Sequence, residues 1–499
     1  MSTLSNIGLP IGSIFSGIGG LTWGIEAALA SLGVASAPVW MCDCNPFSRA
    51  VLATHWPGAH LFRDVREVHG GNASRVAILE GGSPCQDLSL VGKRGGLAGA
   101  RSGLWSEQKR LARELRPACV VWENVGGALC VGKDKATGNA VPPAVAKVLA
   151  DLDEEGYDAV WFTLSAAEVG AAHLRLRIFV VGVRRDPFGL TREDFGALGA
   201  PGTSATASTT VPPLELAFPR TFTAFPGTTP LVSEPPRERP NSNVPLHMER
   251  IEALGNSVVP QVGFAVGLVV ARLLGLDGRG GLAAVLGTVG AVGPRPNPPR
   301  VRVAQDMAGR NAVAVGERLG DRAVAAFADG IGDGGHGGMR PFLNLRAEVP
   351  EGRRGTVRSR FFEPFPAWGV AVNGTALEPI NALLGRPVPT GGRGGGGATV
   401  PLVACGLGGC EQGDLVDALD LGLWPTCTAR DWRSGKASAA TRDRNSRPLS
   451  EVAAPNGFLV PEWAELHMGY PVGWTVPAQG FAQGLTPRKR GTKPCAAMK

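Results

Sequence analysis

The chain is 499 residues long, carries a formal net charge of +7 and is 44% hydrophobic, which is too long for one ordinary domain and apolar enough for a large core. A basic balance favours an anionic partner without choosing between DNA, RNA and an acidic surface. Nine cysteines form no dense disulfide pattern and leave at least one unpaired, so a reducing, cytoplasmic setting is expected.

The opening stretch "MSTLSNIGLPIGSIF" has neither the basic start nor the long apolar core of a secretion signal. From residue 11 to about 186, short apolar runs alternate with helical patterns, as in a parallel sheet with crossover helices. "IGSIF" predicts the first strand and "LTWGIEAALASLG" the first helix, with Gly17, Gly19 and Gly20 between them. Glycines there allow a tight turn and close approach to a nucleotide or adenosyl ligand, or make an ordinary turn. "PVWMCD" predicts a second strand ending at Asp43, a carboxylate suited to ribose hydroxyls or simply a solvated strand end.

"RVAILEGG" predicts a further strand that leads into "SPCQ". Cys85 is then either a buried inert thiol or a nucleophile on a strand-end loop, where Pro84 stiffens the approach. "ACVVWENV" predicts the next strand and brings Glu123 to the same end of the sheet. "VAKVLADLDEEG" predicts a helix and "RIFVVGVRRD" a last strand. Arg175 and Arg177 alternate in "HLRLRIF", which on an entering strand puts both on one face, for phosphate or carbonyl recognition or as a solvated basic face.

Residues 187–244 turn to Pro, Thr, Ser and Ala without periodicity, and predict an irregular insert. Helical spacing returns over 245–275, broken at Gly-Asn and Pro260, with Pro260, Gln261 and Arg272 arguing against a membrane span. Residues 276–300 predict a Gly/Pro linker, followed by a Gly- and Arg-rich region over 301–480 and a basic tail over 481–499. "CDC" and "CGLGGC" lack metal-ligand spacing, so no metal is expected.

Taken in order, "SIFSGIGGLTWGIEAAL", "DCNPFSRAVLATHWP", "FRDVREV", "GGSPCQDLSLVGKRGGLAGARSGLW", "VVWENVGG", "GAAHLRLRIFVVGVRRD" and "RIEALGNSVVPQV" resemble the DNA (cytosine-5) methyltransferase family. The resemblance implies a Rossmann-like α/β sheet binding S-adenosyl-L-methionine in a catalytic domain over 1–186, completed by the 245–275 helix. It implies Cys85 as nucleophile on carbon 6 of a flipped cytosine, and Glu123 as the contact to ring nitrogen 3 and the exocyclic amine. Arg175 and Arg177 match the paired arginines that hold the base and its phosphates. Phe15, Gly17, Gly19, Gly20, Asp43, Asp64, Pro84, Leu104, Asn256, Ser257 and Val258 match the cofactor-lining positions.

The implied partner is double-stranded DNA in a prokaryotic or phage-infected cell, with a cognate restriction endonuclease in a restriction-modification system, and the expected state is a monomer off the membrane. A tRNA-directed enzyme and a non-catalytic DNA-binding descendant are the alternatives. The chain departs from the family pattern at Ala172 and His173, and in its short 187–243 interval, where "RTFTAFPGTTP" is a remnant of a recognition-domain motif. "LWPTCTARDWRSGKASAATRDRNSRPLSEV" and "PEWAELHMGYPVGWT" resemble segments of phage-type enzymes, and their place after "GNSVVP" implies a permuted order with recognition elements over 301–480.

Overall fold

The computed structural model describes residues 8–83, 104–129, 132–133, 140–141, 143–185, 213–214, 246–277, 339–344, 368–372, 375–379, 424–433, 448–454 and 457–482. Pro84, Cys85 and almost all of the 187–244 insert lie outside them, as do the tail beyond 482 and most of 278–423.

The strands β1 (Leu9–Ile14), β2 (Ser36–Cys42), β3 (His60–Phe62), β4 (Ile78–Gly81), β5 (Cys119–Val125), β8 (Tyr157–Leu164) and β9 (Arg177–Arg184) form the centre of a ten-stranded sheet. The sheet runs on through β11 (Trp368–Val372), β12 (Thr375–Pro379) and β10 (Met339–Asn344), in the order β10-β12-β11-β8-β9-β5-β4-β1-β2-β3. A separate pair joins β6 (Gly132–Lys133) to β7 (Ala140–Val141). Strands β1 and β4 are buried along their whole length, Ser13 and Glu80 included, as strands covered on both faces of a sheet must be.

The parallel expectation holds for β3, β2, β1, β4 and β5 and fails beyond them. The last strand, β9, runs antiparallel to both β5 and β8. The physical reason is the link from β8 to β9, Ser165–Leu176, which carries one 3₁₀ turn and no crossover helix, so the chain doubles back on its neighbour. The turn is fixed by a capping box: the Ser165 side chain accepts from the Glu168 amide, and the Glu168 carboxylate accepts from the Ser165 amide at 2.7 Å.

One face of the sheet is covered by α3 (Trp105–Leu115) and α4 (Ala144–Glu154). The other is covered by α1 (Gly20–Ser31), α5 (His247–Asn256) and α6 (Pro260–Leu273), while α2 (Pro46–His55) follows β2. The apolar 247–273 stretch breaks at Ser257–Val259, where Pro260 opens the second helix, and is packed inside the protein. Helices α1 and α6 meet at backbone distance, because a side chain on Gly24 would fall 2.4 Å from the Pro260 carbonyl oxygen.

The far end of the chain joins this same layer. Trp424, Cys427, Leu449, Leu459, Ala464, Met468, Tyr470 and Trp474 share one core with α1 and α6. The Trp424 amide donates to the Ala172 carbonyl at 2.7 Å, and α7 (Leu449–Ala453), α8 (Pro461–His467) and α9 (Gln479–Ala482) follow. Residues 424–433, 448–454 and 457–480 of the region expected to recognise DNA therefore pack as structural parts of the sheet-bearing domain.

Candidate functional site

The chain leaves β1 for β2 and β3 on one side and returns to β4 on the other, so β1 and β4 bracket the point where strand order reverses. A crevice at the carboxyl ends of such strands is where open α/β sheets take ligands. The loop after β1 is unusual there: Phe15, Gly17 and Gly19 have φ values of 53°, 55° and 83°, all left-handed. A non-glycine residue is costly in that region, so Phe15 must be held by its surroundings. Among the described residues, nothing lies within 4 Å of the point where a Gly17 side chain would start. Behind it the fit is tight, since a side chain on Gly20 would strike the Tyr470 hydroxyl at 2.1 Å and the Val258 oxygen at 2.2 Å.

Asp43 follows β2 and faces this loop. Its carboxylate accepts from the Gly17 amide and from the Asn45 amide, each at 2.8 Å, and its carbonyl accepts from Arg49 at 2.7 Å. Burial pushes its pKa up to about 6, against the lowering effect of the two amides. Asn45 caps α2 by accepting from the Phe47 amide, with Pro46 at the first helical position, and so carries the chain away from Asp43. Asp64, after β3, accepts both from the Arg66 amide and from its guanidinium at 2.6 Å, which holds the carboxyl below its ordinary range. Leu104 packs half-buried at the start of α3.

The late turn returns to the same place. Ser257 is buried and donates to the Leu254 carbonyl, and the Val258 carbonyl accepts from the Tyr470 hydroxyl at 2.8 Å. Asn256, at the end of α5, is exposed.

Glu123 on β5 is 14% exposed and pairs with the Arg177 guanidinium at 3.1 Å. Burial raises its pKa against the pull of Arg177 and, further off, Arg175. The end of β4 passes close by: a side chain on Gly82 would lie 2.5 Å from a Glu123 carboxylate oxygen. Ser83 is fixed there, its hydroxyl accepting from the Trp122 indole at 2.9 Å and its carbonyl from the Asn124 amide group at 3.2 Å.

The two arginines part company. Arg177 opens β9 and meets Glu123, but Arg175 precedes the strand with φ 34° and is buried. Its guanidinium donates to the carbonyls of Cys427 and Gly255, each at 3.2 Å, and to that of Ser257. The expectation that both share one strand face thus gives way to a division: Arg177 faces the acid, and Arg175 ties the late turn to the C-terminal segment.

Beneath the loop lies polar chemistry that the sequence pattern does not single out. Glu80, buried on β4, accepts from Thr22 at 2.5 Å, and burial raises its pKa to about 7. Glu26 accepts from the Trp56 indole at 2.9 Å and is raised to about 8 by burial. Among the described residues, no group of three or more His, Cys, Asp and Glu is placed to hold a metal.

Fold and site together define an open α/β protein that places, at the carboxyl ends of its central strands, a glycine loop with a facing carboxylate and, beyond β4, a second, arginine-paired carboxylate on β5. The C-5 cytosine-specific DNA methylase family profile matches residues 9–206. The chain is 33% identical over 181 residues to the type II methyltransferase M.AquIA of Picosynechococcus sp., covering 34% of this chain and 71% of that one. It is 29% identical over 169 residues to M.NgoBV of Neisseria gonorrhoeae, covering 34% and 40%. To M.XorII of Xanthomonas oryzae pv. oryzae it is 34% identical over 188 residues, covering 35% and 41%. The chain belongs to the C-5 cytosine-specific DNA methylase family. It spans about two fifths of the length of M.NgoBV and M.XorII.

Proposed function

We propose that this protein is a site-specific DNA cytosine-5 methyltransferase that uses S-adenosyl-L-methionine and acts on double-stranded DNA. The observation that carries the reading is the juxtaposition at the ends of β4 and β5. Glu123, paired with Arg177, lies against Gly82, and Ser83 is hydrogen-bonded to Asn124. Cys85 follows Ser83 after Pro84, so no more than about 7 Å of extended chain separates their Cα atoms.

The crevice suits the cofactor. Asp43 spends one acceptor position of each oxygen on a main-chain amide, which leaves capacity for two ribose hydroxyls. The face of Gly17, which no described residue covers, suits a ligand laid against the backbone. When bound, S-adenosylmethionine supplies an electrophilic methyl group on its sulfonium.

The residues of the chain do the rest. The Cys85 thiolate adds to carbon 6 of a flipped-out cytosine, and Glu123 hydrogen-bonds ring nitrogen 3 and the exocyclic amine. A carboxyl whose pKa is raised by burial suits contact with a ring nitrogen that gains electron density. Carbon 5 becomes nucleophilic, accepts the methyl group and then loses its proton to a base, which lets Cys85 leave. Arg177 holds Glu123 in place through this cycle.

DNA-word recognition falls to the residues of 301–480 other than 424–433, 448–454 and 457–480, because those pack on the core. The test is base-resolution sequencing for 5-methylcytosine in cells free of other cytosine methyltransferases, expressing the wild type or Cys85→Ala. Methylation at one short word, lost in the variant, is the expected result; no methylation by soluble wild type would refute the proposal.

A further inference from the structure

The loop after β1 is held from behind by the far end of the chain. The Trp474 indole donates to the Ile18 carbonyl at 3.1 Å, across 456 positions of sequence. Its ring is stacked on Trp23 of α1 at 4.4 Å and on His55 of α2 at 3.7 Å, and the His55 ring meets the Trp474 carbonyl oxygen at 2.9 Å. One side chain therefore touches the loop and the two helices that follow β1 and β2. Four residues earlier, Tyr470 donates to the Val258 carbonyl and lies against Gly20, joining the late turn to the start of α1.

Three left-handed residues in five make this loop a conformation that its surroundings must impose. Its front, at Gly17, meets none of the described residues, whereas its rear presents the Ile18 carbonyl to Trp474. We infer that Trp474 and Tyr470 are positioning residues for the cofactor, acting through the Phe15–Gly20 loop and the Val258 turn without touching the ligand. The inference rests on the reading of this crevice as the S-adenosylmethionine site. It gives the "GYPVGWT" stretch a part in cofactor affinity in place of DNA-word recognition.

The test measures binding of S-adenosylhomocysteine to the full chain by calorimetry, with cofactor KM, DNA KM, kcat and thermal midpoint recorded alongside. The variants are Trp474→Phe, Tyr470→Phe and, as control, Val472→Ala, whose side chain is exposed. Each aromatic substitution removes one hydrogen bond and keeps a ring, and is expected to weaken binding about five- to tenfold. Cofactor KM rises in parallel, while kcat and DNA KM stay within about twofold and Val472→Ala matches wild type.

If Trp474→Phe fails to fold, Tyr470→Phe, which loses a single hydroxyl, decides alone. Wild-type binding in folded variants would overturn this inference and leave the proposed function standing. Equal losses in kcat, cofactor affinity and DNA affinity would also overturn it, as the mark of a merely structural role. A wild type that binds no S-adenosylhomocysteine would overturn both readings.

Discussion

Arg250 offers the sharpest test of how the C-terminal segment is attached. Its guanidinium, 5% exposed, reaches Glu465, fully buried on α8, at 3.1 Å, and Glu462, 40% exposed, at 2.6 Å. Glu465 also accepts from the Gly473 amide at 2.6 Å and the Thr475 amide at 2.8 Å, so its position is fixed by main chain as well as by charge. Arg250→Met keeps the stem and removes the cation, leaving a buried carboxylate without its counter-ion. Breaking one partner of such a pair costs about 3–5 kcal/mol, whereas an exposed pair contributes about 0–1 kcal/mol. Urea unfolding is expected to show the full loss in Arg250→Met. Glu465→Gln in the same background is expected to recover part of it, a coupling of at least about 1.5 kcal/mol, while Glu462→Gln couples by less than about 0.5 kcal/mol. A loss below about 1 kcal/mol in Arg250→Met, or equal coupling to both acids, would refute the argument that the buried pair anchors the segment.

Gly20→Ala drives a methyl group into the Tyr470 hydroxyl and the Val258 carbonyl, and is expected to cost at least tenfold in S-adenosylhomocysteine affinity, read by calorimetry. Glu123→Gln keeps the shape but not the charge or the proton, and methyl transfer measured with labelled cofactor should fall at least about a hundredfold with cofactor binding retained. The carboxyls of Asp43, Glu80 and Glu26 sit at about 6, about 7 and about 8 in the folded chain, all above the unfolded carboxylate range. The folded state therefore binds more protons than the unfolded one between about pH 4 and 8, and stability from these groups is lost as pH rises through that window. Urea midpoints should fall from pH 5.5 to 8.5, and Glu26→Gln should shrink the fall; a larger fall in the variant would contradict the sign.

The apolar runs of β1, β2, β4, β5 and β9 are visible in the sequence because each carries a stretch of buried residues bounded by Gly, Pro or charge. Strand direction is not visible: "RIFVVGVR" reads the same either way, and only the helix-free link before it makes β9 antiparallel. Glu123 and Asp43 stand at strand ends and are legible as site candidates on that ground. Arg175 misleads, since alternation implies a shared face only inside a strand, and this residue lies before β9 in a left-handed turn. Tyr470 and Trp474 carry no local signal of their role, because their partners are carbonyl oxygens hundreds of positions away. Glu80 and Glu26 look like ordinary surface acids until the sheet and α2 close over them.

Ile18 and Trp474, joined by one hydrogen bond, are 456 positions apart. Synthesis at about 5–20 residues per second puts roughly 20–90 s between the emergence of the two. For that interval the nascent sheet carries its glycine loop without the indole behind it. The left-handed course of the Phe15–Gly20 loop thus gains its rear support late, only once residue 474 has been added.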